Sequence, residues 1–250
     1  MMASQLDVLI TVPVYNEEKQ LREKISELDA YSRKNLNGLK YQIVITENGS
    51  KDKTPQIARQ LSKDLEYVSL YEHPEQGRGK ALYALWKHMN ARCYAYMDVD
   101  LATDINHTFE LVNSILKKGY DVSLASRNLK ASRVHRGLKR TIISKGYIFL
   151  LKSIFRLRVS DTQCGFKAIS KRARDLLWPC MDPLNWTGAA WFFDAELVIL
   201  AEKLGLKIFE IPVKWTEAPG STVSIRSTII EDLSGIFRLL KTKPWQNRKS

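Results

Sequence analysis

Short apolar runs punctuate the first half of the chain at Val8–Pro13, Tyr41–Glu47, Glu66–Tyr71, Cys93–Met97 and Val122–Ala125. Runs of this length predict strands. Between them lie Glu17–Arg33, Lys53–Ser62, Lys80–Asn90 and Asn106–Lys117, whose mixed apolar and polar positions predict helices. Regular alternation of strand and helix predicts a parallel α/β sheet. Such sheets bind ligands beyond the carboxyl ends of their strands. Three polar loops fall there: Pro13-Val14-Tyr15-Asn16-Glu17, Glu47-Asn48-Gly49-Ser50 and Asp98-Val99-Asp100.

The last of these loops carries the most chemistry. It closes the apolar run Cys93–Met97, and two carboxylates two residues apart on extended backbone point the same way. Hard oxygen ligands so placed can hold Mg2+ or Mn2+ against the diphosphate of a nucleotide. An Asp-x-Asp by itself is more often a solvated turn, and its place at the end of a strand is what favours a site. Other nucleotide signatures are missing. Gly77-Arg78-Gly79-Lys80-Ala81 is too short for a Walker loop, and no Gly-x-Gly-x-x-Gly follows the first strand. Kinase-like and NAD-dependent chemistry are thereby disfavoured.

The second half is less regular. Thr141–Phe155 is apolar at Ile143, Tyr147, Leu150, Leu151 and Ile154, with Lys145 and Lys152 on another face. It predicts a helix that lies either in a membrane interface or in the core. Ile229–Leu240, followed by a basic tail containing Trp245, leaves the same choice open.

Charge sharpens that choice. The net charge is +12, and between Asp121 and Asp161 no acidic residue occurs among ten lysines and arginines. So long a one-signed stretch predicts a polyanionic partner, nucleic acid or an anionic membrane surface. The 250 residues, 44% of them apolar, can fill one large core, and no linker or repeat divides them. Cys93, Cys164 and Cys180 lack paired metal-ligand spacing and suit a reducing cytosol. No apolar run reaches the roughly 18 residues of a spanning helix. The start lacks a basic region followed by an apolar stretch, so the chain is expected to be neither secreted nor integral to a membrane.

Taken together, these segments resemble family 2 glycosyltransferases of the GT-A fold, in particular the polyprenyl-phosphate sugar synthases. The resemblance runs in order through VPVYNEE (Val12–Glu18), ENGSKDKT (Glu47–Thr54), GRGKA (Gly77–Ala81), DVDLAT (Asp98–Thr103) and ASR (Ala125–Arg127). It continues through LKRTIISKGYIFL (Leu138–Leu150), SDTQCGFKAIS (Ser160–Ser170), WFFDAEL (Trp191–Leu197) and EIPVKWTEAPGST (Glu210–Thr222). DTQCGFK followed by FDAEL and VKWTE looks specifically like dolichyl-phosphate glucosyltransferases.

The resemblance implies a single mostly parallel α/β domain with C-terminal amphipathic helices. Residues 1–126 would bind the nucleotide sugar, and residues 127–250 the acceptor and the membrane interface. It implies that Pro13, Tyr15, Glu17, Glu47, Lys80 and Asp98 contact the nucleotide sugar. A carboxylate at Glu47 suits N–H or hydroxyl donors of the base or ribose. Asp98 and Asp100 would hold Mg2+ or Mn2+. Arg127, Lys139 and Arg140 would hold the acceptor phosphate, for which arginine offers bidentate donors. Asp161, Asp194 and Glu196 are implied as acids that position the reacting groups. Ala102 stands where mannosyl-phosphate synthases often carry Gln, which favours the glucosyl branch.

The implied reaction is inverting transfer of glucose from UDP-glucose to dolichyl or another polyprenyl phosphate, by a peripheral protein on the cytosolic membrane face. Three rivals keep part of this reading: GDP-mannose as donor, a glycan as acceptor, and nucleic-acid binding through the basic stretch. The last is disfavoured, because no recognition motif is present and an acidic rim would repel a nucleic-acid backbone.

Overall fold

The predicted strands and helices of the first half are present as β1 (Leu6–Val14), α1 (Leu21–Asn35), β2 (Tyr41–Glu47), α2 (Thr54–Asp64), β3 (Val68–Glu72), α3 (Arg78–His88), β4 (Ala91–Met97), α4 (Thr108–Leu116) and β5 (Val122–Ser126). The structure, a computed structural model, describes residues 5–186, 191–217 and 225–246, the side chains of Lys139, Asn185 and residues 225–227 excepted. Helix α1 starts at Leu21 rather than Glu17. The N–H groups of Glu17 and Glu18 are spent on Thr54 Oγ1 (2.7 Å) and Asp52 Oδ2 (3.2 Å), which ties this segment to the β2 loop.

The second half adds β6 (Arg133–His135), α5 (Leu138–Phe155), β7 (Phe166–Ser170), α6 (Lys171–Leu177), α7 (Phe193–Lys203), β8 (Ile208–Pro212), β9 (Lys214–Thr216) and α8 (Ile225–Thr242). Seven strands form one sheet in the order β3-β2-β1-β4-β7-β5-β8. All neighbouring pairs are parallel except those of β7, which runs antiparallel to both β4 and β5. The expected mostly parallel sheet is present, and β7 is the strand that runs against the others.

Helices cover both faces. On one, Val8, Ile10 and Val12 of β1 pack with Leu21, Ile25 and Leu28 of α1, Leu61 of α2 and Leu111 of α4. On the other, Leu9, Tyr94 and Tyr96 pack with Trp86 of α3, Leu177 of α6 and Leu197 of α7. Burial on both faces is why the strands read as near-continuous apolar runs instead of alternating ones. Helix α7 is buried at every position from Phe193 to Ala201, including Asp194 and Glu196.

A smaller sheet pairs β6 with β9 in parallel, and Trp215 of β9 bridges to Thr103. Backbone bonds from Thr216 N–H to Ala102 O (2.9 Å) and from Asp104 N–H to Lys214 O (3.0 Å) extend that link. The loop after β4 is thereby clamped against the segment after β8.

Candidate active site

The carboxyl ends of β1, β2 and β4 form one rim, as the sequence implied. Asn48 fastens the first two loops: its side-chain amide donates to Val14 O at 2.8 Å and its backbone N–H to the same oxygen at 3.2 Å. Asn16, in a left-handed conformation at φ 56°, accepts from Lys51 N–H at 2.8 Å. Glu47 is buried and accepts the Ser50 N–H at 2.6 Å, so one carboxylate oxygen already shapes its own loop. Pro13 is buried in β1 opposite Thr46, whereas Tyr15 is half-buried on the loop.

Asp98 and Asp100 line a common pocket with Thr103, Gly165, Phe166 and Trp215. The Asp98 N–H bonds Gly165 O at 3.0 Å, and a Cβ on Gly165 would fall 1.9 Å from Asp98 Oδ2. Glycine at 165 is what gives the Asp98 side chain its space. Leu101 takes a left-handed φ of 48°, and Asp100 Oδ1 accepts the Ala102 N–H at 3.0 Å. Burial raises the Asp100 pKa, and the neighbouring Asp98 charge raises it further. Glu17 is also raised, first by burial, against the pull of the Gln20 hydrogen bond, with Asp100, Asp52 and Asp98 adding repulsion.

Three mutually repelling acids at one rim favour a cation among them. The donors are hard carboxylate oxygens, which fits Mg2+ or Mn2+. Among the described residues no group of three or more His, Cys, Asp or Glu side chains has metal-ligand geometry. Asp98 and Asp100 would therefore be the protein's share of a shell completed by ligand and water.

A chain of charges runs inward from Asp98. Arg78, at the first position of α3, donates through Nη1 to Asp98 Oδ1 at 2.5 Å and through Nη2 to Asp194, and its guanidinium lies 4.6 Å over the Trp191 ring. Asp194 also accepts from the Tyr96 hydroxyl and from Lys167 Nζ, the latter at 2.5 Å. Lys167 is fully buried in β7, between Tyr96 of β4 and Leu124 of β5, and donates further to the Tyr96 hydroxyl (3.1 Å) and Cys164 O (2.5 Å). Burial opposes its charge, whereas these acceptors favour it. Cys164 is a buried thiol whose pKa burial raises, which disfavours the thiolate that a nucleophile needs.

Two of the basic residues that the resemblance implied for the acceptor phosphate carry carboxylate partners. Arg127 grips Asp161 bidentately, Nε to Oδ2 at 2.7 Å and Nη2 to Oδ1 at 3.0 Å, and its backbone N–H adds a third bond at 3.1 Å. Burial works against the Asp161 carboxylate, but the Arg127 charge and these bonds outweigh it and hold its pKa below the ordinary value. Asp161 thus takes Nε and Nη2 of Arg127 and fixes the plane of its guanidinium. Arg140 pairs with Glu217, which also accepts the Gly137 N–H at 3.1 Å. The side chain of Lys139 lies outside the described residues, as does residue 218 onward of the Glu210–Thr222 motif.

One further residue stands away from the rim. Glu196 is fully buried; Arg238 takes both of its oxygens at 3.1 and 2.6 Å, and Trp186 Nε1 donates to one at 2.7 Å. Residues two apart on a helix face nearly opposite sides, so Asp194 joins the chain from Asp98 while Glu196 fastens α7 to α8. Lys80 lies in the first turn of α3 and pairs with the exposed Glu75 at 3.0 Å. Solvent screens this pair, which leaves Lys80 suited to exchange Glu75 for another anion.

Sequence reading missed Arg78, Gly165, Lys167 and Trp215. Arg78 stood inside a glycine-containing motif and could have been found by asking which cation opens the helix facing the rim. A lysine in the middle of the apolar segment Phe166–Ile169 was a signal for a buried charge partner.

The glycosyl transferase family 2 profile matches residues 9–177. A dolichyl-phosphate beta-glucosyltransferase of Trichomonas vaginalis is 31% identical over 235 residues, covering 90% of this chain and 70% of that protein. Glycosyltransferase AglD of Haloferax volcanii is 29% identical over 98% of the chain, which spans only 38% of that relative's length. Among solved structures, glucosyl-3-phosphoglycerate synthase from Mycobacterium tuberculosis, in complex with Mn2+, UDP and phosphoglyceric acid, superposes with a TM-score of 0.66 at 16% identity. That alignment covers 98% of this chain and 80% of the synthase. The mostly parallel sheet flanked by helices is therefore the GT-A fold. With the profile spanning more than half of its length and carrying the strands that build the rim, the chain belongs to glycosyl transferase family 2 and is a glycosyltransferase.

Proposed function

We propose that the enzyme transfers glucose from UDP-glucose to the phosphate of dolichyl or a related polyprenyl phosphate, bound peripherally at the cytosolic face of a membrane. One observation carries this reading. The Asp98 and Asp100 carboxylates share a pocket with Trp215, whose ring lies 5.6 Å from the guanidinium groups of both Arg127 and Arg136. An acidic side suited to a metal-bound diphosphate thus adjoins a cationic side suited to a second phosphate. Relatives named for dolichyl-phosphate glucosyl transfer, and a structural neighbour titled with Mn2+ and UDP-glucose, agree with that pairing.

In this reading residues 1–126 hold the donor, with Pro13, Tyr15, Glu17, Glu47 and Lys80 around the nucleotide. Asp98 and Asp100 would hold Mg2+ or Mn2+, which neutralises charge on the departing diphosphate. Residues 127–250 hold the acceptor, and Asp161 and Asp194 act by fixing Arg127 and Arg78. An acceptor phosphate oxygen attacks the anomeric carbon as the bond to the diphosphate breaks, inverting the centre. Phosphate monoesters have a second pKa of about 6, so the acceptor is largely ionised at neutral pH and needs no strong general base.

A matrix of UDP-glucose and GDP-mannose against polyprenyl phosphate and soluble glycan acceptors tests this directly. The expected product is a β-linked glucosyl phosphate lipid, identified by NMR. Transfer only from GDP-mannose would move the enzyme to the mannosyl branch, and transfer only to glycans would remove the lipid acceptor.

A further inference from the structure

Arg78 stands between two carboxylates in unlike surroundings. Its Nη2 reaches Asp194 of α7, whose side chain is 1% exposed, and its Nη1 reaches Asp98 Oδ1 at 2.5 Å, on a side chain 42% exposed at the rim. The two arms are not equally replaceable. Asp194 lies where the effective dielectric is low, so a lost partner strands a buried charge, whereas Asp98 has water to fall back on. Lys167 and the Tyr96 hydroxyl both hold the other oxygen of Asp194, which fixes the acid on which Arg78 pivots. The inner arm is the anchor, and the outer arm is the one that can let go.

Nothing in α3 itself calls for this arginine. A cation in the first turn opposes the helix dipole, and the Arg78 Nε is buried without a hydrogen-bond partner. Its hold comes from the two Nη arms and from the Trp191 ring, 4.6 Å beneath the guanidinium. The effect of the arrangement is felt at the rim, where Asp98 and Asp100 line one pocket. Arg78 takes Asp98 Oδ1, and Oδ2 is packed toward Gly165. A divalent cation and Arg78 are therefore competitors for the same carboxylate.

We propose that Arg78 is a tethered stand-in for the metal: it neutralises Asp98 before a divalent ion arrives, and the ion displaces it while it stays anchored on Asp194. Arg78 is thus a positioning residue of the pocket, acting through Asp98. The proposal rests on the reading of Asp98 and Asp100 as metal-binding carboxylates, and its test separates the failure of one from the failure of the other.

Wild type, Arg78→Gln, Arg78→Lys and Asp98→Asn are titrated with Mn2+ alone, without nucleotide, and free Mn2+ is read from its electron paramagnetic resonance signal. Arg78→Gln should bind Mn2+ about tenfold more tightly than wild type, as follows if Asp98 is clear of Arg78 in roughly one wild-type molecule in ten. Arg78→Lys should also bind more tightly, because lysine keeps the charge but lacks the fork that spans both acids, and stays with the buried one. Asp98→Asn should lose most of the binding. Melting temperature gives a second readout: Arg78→Gln should melt below wild type in EDTA and show a larger rise with Mn2+. A merely structural role for Arg78 predicts the reverse, weaker Mn2+ binding in both variants, and that result overturns the proposal. Tighter binding by Arg78→Gln with wild-type affinity in Arg78→Lys would show that charge alone opposes the metal, which also removes the exchange. If Asp98→Asn binds Mn2+ as wild type does, the metal reading falls and the proposal with it. If Asp98→Asn loses the metal while both Arg78 variants match wild type, only the role of Arg78 falls. Should Arg78→Gln fail to fold, Arg78→Lys alone decides, and an affinity no tighter than wild type sinks the proposal.

Discussion

Asp98 and Asp100 could be read from the sequence because their chemistry is local: two carboxylates at the end of an apolar strand. Gly165 could not, because its importance lies in a contact with Asp98 across the sheet. A methyl group at 165 would fall 1.9 Å from Asp98 Oδ2, so the carboxylate must leave its position. Gly165→Ala is therefore expected to lower transfer at least a hundredfold and to weaken Mn2+ activation, approaching the effect of Asp98→Asn. Both that variant and Asp100→Asn should abolish transfer while melting within a few degrees of wild type, since these side chains sit at a loop rim. Reversible loss in EDTA should accompany them. Full-rate transfer by chelated enzyme, or a Gly165→Ala enzyme with unchanged Mn2+ dependence, would contradict this account. Arg127 shows the opposite limit of sequence reading. Its motif marked it as a phosphate ligand, but only the fold reveals its pairing with Asp161.

Among the elements, β7 and α7 were the least legible. Strand β7 carries Lys167 at its second position, which interrupts an apolar run, and it reaches its antiparallel place after a connection through α5 that no local pattern encodes. Helix α7 is buried all round, so it lacks the amphipathic stripe that marks a surface helix. Helices α5 and α8, by contrast, were read within a few residues. What their periodicity concealed is an acid between them: Asp232 of α8 is buried near Tyr147 of α5, and burial raises its pKa to about 7 despite the Tyr147 hydroxyl. The folded state then holds a proton that the unfolded chain, with an ordinary value near 3.8, has released. Between about pH 4 and 7 the unfolded state binds fewer protons, so stability falls as pH rises, by up to about 1.4 kcal/mol per pH unit, and levels off above the folded pKa. Asp232→Asn should flatten this slope and melt higher than wild type at pH 8. Parallel melting curves for the two proteins from pH 5 to 8 would show that Asp232 is not the group responsible.

At the scale of the whole molecule, α5 and α8 each contribute to the core and also leave apolar side chains exposed. Leu151 and Phe155 of α5 and Ile236 and Leu239 of α8 are buried, yet Leu138 (80% exposed), Ile142 and Phe149 (73%) of the first and Ile230, Leu233 and Phe237 (69%) of the second face solvent. Among the described residues no helix is long and apolar enough to cross a membrane. Two helices that expose phenylalanine and isoleucine on a chain of net charge +12 are suited to lie on an anionic bilayer. In the proposed reading the two terms would act together: the charge would draw the protein to the surface, and apolar insertion would lengthen its stay there. Sedimentation with phosphatidylserine-containing vesicles should therefore recover wild type at low salt and release much of it near 1 M salt, where the Debye length is about 3 Å. Phe149→Asp and Phe237→Asp should each weaken recovery, and the double variant should lose most of it with no change in melting temperature, because both side chains are already exposed. Equal recovery on neutral and anionic vesicles would remove the electrostatic half of this argument. Undiminished binding by the double variant would remove the apolar half and leave the exposed faces of α5 and α8 without a part in bringing the rim to its lipid.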